Sequence, residues 1–173
     1  MKRLYLIRHA KSSKDIPGIK DKDRPLDKRG KREAGHMGRR LRKCGIVVQA
    51  IYSSPAKRAL DTAIAIAKRI GYPCERIKTV NSMYKSDIPM LMKVVRSIDD
   101  QVESSVIFGH NPEFFSLVNY LTPRIIRRFS TCGVFGIDFT IDSWKKVARK
   151  KGKLIFYQSP SEGYFNNHKL GKS

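Results

Sequence analysis

The segment LYLIRHAKSS, residues 4–13, joins a pattern typical of a buried strand to a strongly polar end. Its apolar first half predicts a strand over residues 3–9, and Arg8 and His9 stand at the carboxyl end of that strand with Lys11 just beyond. Three explanations are open for charged side chains at the end of a buried strand. They can have no role, they can form a structural ion pair, or they can belong to a site that binds an anion.

Strand patterns and helical periodicity alternate along the rest of the chain. The further predicted strands cover residues 46–54, 75–83, 104–110, 133–141 and 152–158. The predicted helices cover residues 27–43, 54–71, 88–95 and 114–121. This alternation predicts an α/β fold with a mostly parallel sheet that helices cover on both faces.

The second predicted helix has both a start signal and an apolar face in the sequence. Ser54 is predicted as its N-cap, and Pro55 occupies the first helical position. The residues predicted to form its buried stripe are Leu60, Ala63, Ile64, Ala67 and Ile70.

Composition places the chain among globular proteins and makes it strongly basic. The 173 residues carry a formal net charge of +21, which favours anionic partners without choosing between them. No apolar run approaches the ~20 residues that a membrane-spanning helix needs. Three widely spaced cysteines form neither a metal pattern nor a disulfide framework, which is typical of a reducing compartment, so we expect a cytoplasmic protein. We also expect it to be a monomer that does not associate with membranes.

Polar residues follow three of the predicted strands. They are Arg8 and His9 after the first, Ser53 and Ser54 after the second, and His110 and Asn111 after the strand over 104–110. Carboxyl ends of parallel strands share one sheet edge, where ligands collect, and Arg58 lies in the first turn of the helix that follows Ser54. The planar guanidinium group of arginine and the free amides of a helix N-terminus both bind phosphate well. Together these residues therefore predict a phosphate-sized pocket.

Each of these residues also has a purely structural alternative. His9 alone is more often a structural histidine, Arg8 can pair with an acidic neighbour, and Arg58 can be a surface cation. The segment His110-Asn111-Pro112 can be a helix cap. The joint placement at strand ends is what favours a functional site.

Five segments, in order, resemble the motifs of the histidine phosphatase superfamily, in its SixA-type phosphohistidine phosphatase branch. The segments are RHAKSS, DKDRPLDKRGKREA, SSPAKRALDTA, VIFGHNP and TIDSWKKVARKKGKLIFYQSP. The resemblance covers residues 1–160 as a single domain and leaves a C-terminal tail, 161–173, with little periodicity. It implies a phosphoglycerate mutase-like α/β/α sandwich with an antiparallel C-terminal edge.

By this resemblance His9 is a nucleophile that becomes phosphorylated, while Arg8, Arg58 and His110 hold the phosphoryl oxygens. Neighbouring cations are expected to depress the pKa of His9 and keep it unprotonated. Neither a metal nor another cofactor is implied. Ala10 replaces the glycine of the family signature, which the turn tolerates if its φ is negative.

The general acid is the second departure from the family pattern. Many relatives carry a glutamate or aspartate after the third strand, and here Asp87 is the candidate, with a helix cap as its alternative role. Without a general acid, phosphate esters with poor leaving groups should react slowly. The leaving group of phosphohistidine depends less on a proton from the enzyme.

Residues around the predicted pocket have less defined roles. Arg24 either contacts substrate or forms an ion pair with Asp21, Asp23 or Asp27. Ser12 either binds phosphate or caps a turn. Asn111 is expected to contact substrate or to support the pocket from behind.

The expected substrate is phosphohistidine on a protein, for example a histidine phosphotransfer domain. One alternative is a phosphatase for small phosphomonoesters from the same superfamily. Another is a protein that binds polyanions or nucleic acid, but the basic segments lack interleaved aromatic residues, so no nucleic acid partner is expected.

Overall fold

The structure is a computed structural model that describes residues 1–14 and 16–161. In this part of the chain it contains six strands and four α-helices. In chain order they are β1 (Lys2–Arg8), α1 (Lys28–Lys43), β2 (Ala50–Ser53), α2 (Lys57–Ile70), β3 (Lys78–Thr79), α3 (Ile88–Arg96), β4 (Ser104–Gly109), α4 (Glu113–Leu121), β5 (Val134–Phe139) and β6 (Lys153–Gln158). The predicted tail, 161–173, lies outside the described residues except for Ser161.

The strands form one mixed sheet in the order β3-β2-β4-β1-β5-β6. Strands β3, β2, β4 and β1 pair in parallel, while β5 runs antiparallel to both β1 and β6. The predicted three-layer α/β fold, with a mostly parallel sheet and an antiparallel C-terminal edge, is confirmed.

Alternating side chains of β1 show how the sheet is buried on both faces. Leu4 and Leu6 pack into one core cluster, together with residues of α3 and α4. Tyr5 and Ile7 point the other way, into a second cluster with residues of α1 and α2. Because both faces of this strand are covered, its sequence is a continuous apolar run.

Two predicted strands are shorter in the structure. Strand β2 keeps only Ala50–Ser53 of the predicted 46–54. Strand β3 consists of Lys78–Thr79, at the edge of the sheet, and both of its residues are exposed. An edge strand has one partner and little side-chain burial to extend it, so the flanking residues form 3₁₀ turns instead.

The start of α2 and its buried face differ from the prediction. The helix begins at Lys57, its N-cap residue is Ala56, and Ser54 does not cap it. The buried face includes Arg58 and Thr62, whereas Leu60, Ile64 and Ile70 of the predicted stripe are only half-buried. The helix is therefore rotated so that two polar side chains point inward, towards the carboxyl edge of the sheet.

No helix of the described residues is long and apolar enough to cross a lipid bilayer.

Candidate active site

The carboxyl ends of β1 and β4 and the first turn of α2 bring four predicted residues together. Arg8 ends β1, His9 follows it, His110 follows β4, and Arg58 reaches in from α2. The rings of His9 and His110 lie 5.2 Å apart between centroids. Both histidines and Arg58 are buried, so the cluster is largely withdrawn from solvent.

A backbone contact fixes the protonation of His9. Its Nδ1 donates a hydrogen bond of 2.8 Å to the carbonyl oxygen of Ala10, which can only accept. Nε2 therefore carries the lone pair. Burial, together with the charges of His110, Arg58 and Arg8, outweighs this hydrogen bond and lowers the pKa of His9 to about 3. At neutral pH His9 is a neutral base.

Alanine at position 10 is compatible with this turn. Ala10 is completely buried and is not among the residues with positive φ. The turn therefore does not require the glycine of the family signature.

His110 is held by the hydroxyl of Ser54. Its Nε2 lies 2.8 Å from Oγ of Ser54, and the same oxygen accepts a long hydrogen bond of 3.4 Å from the amide of Ala56. Nδ1 of His110 is buried without a partner among the described residues, so it is free to meet a ligand. Burial and the charge of Arg58 lower the pKa of His110 to about 4, against a smaller opposing effect of Asp21.

Three arginines have anchored guanidinium groups that still hold unused donors. Arg8 donates to the carbonyl oxygen of Phe129 at 2.8 Å. Arg58 donates to the backbone oxygen of Asp21 at 2.6 Å and to its carboxylate at 3.1 Å. The Nε atoms of Arg8, Arg58 and Arg24 are buried without a hydrogen-bond partner in the described part of the chain. Unpaired buried donors of this kind suit an anion.

Arg24 forms the ion pair with an aspartate that its sequence allowed, and it also contacts Ser12. Its Nη1 lies 3.4 Å from a carboxylate oxygen of Asp21, and its Nη2 donates to Oγ of Ser12 at 3.1 Å. Arg24 and Ser12 line, together with Arg8, His9 and Lys11, a cavity of ≈ 580 Å³. The structure thus places Arg24 and Ser12 beside the histidine cluster.

Asn111 and Asp87 have structural contacts. Nδ2 of Asn111 donates to the carbonyl oxygen of Phe129 at 3.0 Å, the same oxygen that Arg8 contacts. The carboxylate of Asp87 is exposed and accepts a hydrogen bond of 2.8 Å from the amide of Met90, so it caps α3. Asp87 has no described hydrogen bond to any residue of the cluster.

Sequence reasoning missed Tyr84 as a site residue and considered Asp21 only as an ion-pair partner of Arg24. The hydroxyl of Tyr84 donates to the Asp21 carboxylate at 2.8 Å, and its ring packs edge-on against His110 at 6.1 Å. Burial pushes the pKa of Asp21 upwards, but Tyr84, Arg58 and Arg24 outweigh it and the net shift is downwards. The signal for Tyr84 was its place after the third strand, the region searched for an acid.

Thr62 links the backbone of two cluster residues. Its Oγ1 accepts from the amide of Ala10 at 3.0 Å and donates to the carbonyl oxygen of Arg58 at 2.7 Å. A single buried hydroxyl therefore fixes α2 against the turn that carries His9. Such positioning suits nucleophilic attack on a bound phosphoryl group.

Among the described residues, no group of three His, Cys, Asp or Glu side chains could hold a metal ion.

Comparisons with known proteins agree with this geometry. The model of the histidine phosphatase superfamily (branch 1) matches residues 4–84, which include His9 and Arg58. An uncharacterized protein of Mycobacterium tuberculosis is 31% identical over 164 residues, covering 89% of this chain and 99% of that protein.

Solved structures share the fold over nearly the whole length. A proposed phosphohistidine phosphatase SixA from Nakamurella multipartitia superposes with a TM-score of 0.81 at 21% identity, covering 93% of this chain and 97% of that one. The protein histidine phosphatase SixA in complex with tungstate superposes with a TM-score of 0.79 at 19% identity, covering 91% of this chain and 97% of that one.

Proposed function

The chain belongs to the histidine phosphatase superfamily, and from this premise we propose that it is a phosphatase that removes the phosphoryl group from phosphohistidine on a protein through a covalent intermediate on His9. One observation carries the proposal. The unprotonated Nε2 of His9 lies in a buried cluster with Arg8, Arg58 and His110, which supply charge and donors for an anion.

In the first step, the lone pair of Nε2 attacks phosphorus in line with the bond to the substrate nitrogen. That P–N bond breaks, its electron pair returns to the substrate imidazole, and a solvent proton completes the neutral ring. Arg8 and Arg58 neutralise the oxygens of the transferred group, which stay charged throughout. His9 does not have to lose a proton first, because its pKa of about 3 keeps Nε2 free at neutral pH.

In the second step, water attacks the phosphorus of phospho-His9. The Nε2–P bond breaks, the electron pair returns to His9, and inorganic phosphate leaves with the oxygen and one proton of the water. The other proton goes to solvent and replaces the one that the substrate imidazole took up in the first step. The hydrogen bond from Nδ1 to Ala10 holds the ring in one orientation through both steps. The net reaction converts phosphohistidine and water to histidine and phosphate.

The carboxylates near the site favour phosphohistidine over a phosphate ester. An alkoxide leaving group needs a proton from a general acid. The pKa of Asp21 is lowered by its donors and by Arg58, so its carboxylate is ionised at neutral pH, and Asp87 caps α3. A phosphoramidate nitrogen leaves with less assistance and suits a site in which neither Asp21 nor Asp87 donates a proton.

Transfer of label from a phosphorylated histidine phosphotransfer domain to the enzyme tests this proposal. After a rapid quench, we expect acid-labile, base-stable label on the wild-type chain together with released phosphate. His9→Ala should accept no label, whereas His36→Ala, which changes an exposed histidine of α1, should behave as wild type. Label on His9→Ala would disprove His9 as nucleophile. Turnover of small esters without turnover of phosphohistidine would instead support the small-ester alternative.

A further inference from the structure

A second cavity lies between α1 and α2, outside the site described above. It encloses ≈ 650 Å³, and its floor is formed by Leu26, Gly35 and Ile64. Its rim carries three exposed cations: Lys31, Lys68 and Arg69. We call this cavity the α1–α2 groove.

Leu26 is buried beneath the groove, so the exposed apolar surface of the groove belongs to Ile64 and Ala65, which are half-buried. Ile64 belongs to the stripe that the sequence predicts to be buried, yet it is only half-buried because α2 turns Arg58 and Thr62 inward. Leu60, one turn earlier, is also half-buried. The helix therefore has more apolar surface than its own core uses, and of these two side chains Ile64 lines the groove.

Gly35 keeps the groove open. A Cβ at Gly38 would lie 2.7 Å from Cβ of Arg69, so that glycine is required for helix packing. A Cβ at Gly35 would meet nothing nearer than a guanidinium nitrogen of Arg39 at 4.0 Å. Glycine within a helix costs about 1 kcal/mol relative to alanine, and the packing of this chain gains nothing from it at position 35.

The charged residues at the rim of the groove favour a negatively charged ligand. Asp61, an acidic residue of the lining, is already paired with Lys57 at 3.2 Å. Lys31, Lys68 and Arg69 therefore leave the rim net positive. A ligand that fits must combine apolar side chains for the floor with carboxylates for the rim.

The groove adjoins the pocket that contains His9. Leu26 of the floor forms an isolated antiparallel bridge with Ser12, and Ser12 lines the pocket of His9. One residue pair thus separates the two cavities. A partner seated in the groove would present its neighbouring surface to the phosphoryl-binding arginines.

We infer that the α1–α2 groove docks an acidic amphipathic helix of the phosphoprotein whose phosphoryl group His9 receives. This inference rests on the proposed function and adds a recognition surface to it. Helices recognise grooves through apolar side chains at i, i+3, i+4 and i+7, which would cover Ile64 and Ala65, while acidic residues beside that stripe would meet the rim. A nucleic acid would use the cations but leave Ile64 and Ala65 uncovered.

A large side chain placed in the groove tests docking of the phosphoprotein separately from the chemistry at His9. The probes are an acidic histidine phosphotransfer domain phosphorylated on histidine, and free phosphohistidine. Gly35→Phe should raise KM for the phosphoprotein about tenfold or more while kcat and the turnover of free phosphohistidine stay at wild-type values. Gly35→Ala places only a methyl group there and should leave both substrates unaffected.

Charge reversal on the rim provides the second measurement. Lys31→Glu with Lys68→Glu should raise KM for the phosphoprotein, whereas Lys151→Glu with Lys153→Glu, exposed lysines near the start of β6, makes the same change in net charge and should not. Equal KM values for Gly35→Phe and wild type would overturn the docking site. Equal effects of the two charge reversals, with competition by single-stranded DNA, would replace it by general polyanion attraction.

The two proposals fail in different ways. Turnover of the phosphoprotein with the same KM in Gly35→Phe as in wild type would overturn the groove as a docking site and leave the proposed function intact. If neither substrate is turned over, the proposed function fails and the docking inference falls with it.

Discussion

Asp21 competes with any phosphoryl group for the guanidinium of Arg58. Its carboxylate accepts from Arg58 at 3.1 Å and from Tyr84 at 2.8 Å, and it lies 3.4 Å from Arg24. The half-exposed position of Asp21 lets solvent screen these interactions. Asp21 therefore orients two arginines and also reduces the positive potential that an anion experiences.

Asp21→Asn should strengthen inhibition by inorganic phosphate. The amide keeps the size of the side chain but removes the negative charge beside Arg58 and Arg24. We expect the inhibition constant to fall roughly twofold to fivefold, the range of a half-exposed ion pair. Steady-state inhibition at constant ionic strength measures it.

Tyr84→Phe is the matched control for this effect. It removes one hydrogen bond to the same carboxylate and leaves the charge in place. Its inhibition constant should stay nearer to wild type than that of Asp21→Asn. Weaker phosphate inhibition in Asp21→Asn would mean that ordering of Arg58 outweighs the loss of charge.

At the scale of elements, α1 and α2 approach the His9 turn through different contacts. A Cβ at Gly30 of α1 would lie 2.0 Å from the carbonyl oxygen of Lys11, two residues beyond His9. Helix α2 is tied to the same turn by the hydroxyl of Thr62. Both helices therefore set the geometry of the nucleophile although neither carries it.

Gly30→Ala should destabilise the protein and reduce its activity together. The methyl group forces α1 away from the backbone of Lys11, and overpacking of this kind costs roughly 1–3 kcal/mol. Gly35→Ala, in the same helix, faces open space and should be neutral or slightly stabilising. Urea unfolding and phosphohistidine turnover of the two variants compare them, and equal stabilities would contradict the packing at Gly30.

Thr62→Val should leave the amide of Ala10 unsatisfied in a buried position. The shapes are similar, so the main loss is the pair of hydrogen bonds to Ala10 and Arg58, worth about 1–3 kcal/mol of unfolding free energy. Thr62→Ser keeps the hydroxyl and should retain most of the activity that Thr62→Val loses. If Thr62→Val has wild-type kcat and stability, the linkage is unimportant.

The elements that sequence predicted well are those with strong burial. Strand β1 and helix α1 follow from their apolar patterns, and α1 buries the predicted face that includes Met37 and Leu41. Strand β3 was overestimated, since apolar residues flank it but only Lys78–Thr79 pair with β2. The local pattern of apolar residues does not predict how many residues of an edge strand pair with the neighbouring strand.

The same limit applied to the site. Arg8, His9, Arg58 and His110 were proposed because strand ends and motifs mark their positions. Ser54 was predicted as an N-cap, yet its hydroxyl contacts His110, which lies far away in sequence. Contacts of Asp21 and Tyr84 also join distant segments, so they required the folded chain.

For the whole molecule, two buried neutral histidines make stability depend on pH. Their pKa values are about 3 for His9 and about 4 for His110, below the value near 6.5 of an unfolded chain. Between about pH 6.5 and pH 4 the unfolded state binds protons that the native state does not. The free energy of unfolding therefore falls as pH is lowered through this window.

A loss on the order of 1–2 kcal/mol per histidine is expected between pH 7 and pH 5. Urea titrations at several pH values measure it in wild type and in His9→Gln with His110→Gln. The double variant should show a shallower pH dependence in this range. Identical slopes for the two proteins would mean that neither histidine is held neutral by the fold.

The central position of β1 determines how the site responds to partial opening. Strand β1 is hydrogen-bonded to β4 on one side and β5 on the other, so its amides should exchange with solvent deuterium only through global unfolding. Asp21 lies in an exposed 3₁₀ turn and can separate from Arg58 by a local fluctuation. Mild denaturant should therefore release Arg58 from Asp21 and strengthen inhibition by phosphate, as is expected of Asp21→Asn, while the strand that presents His9 remains protected.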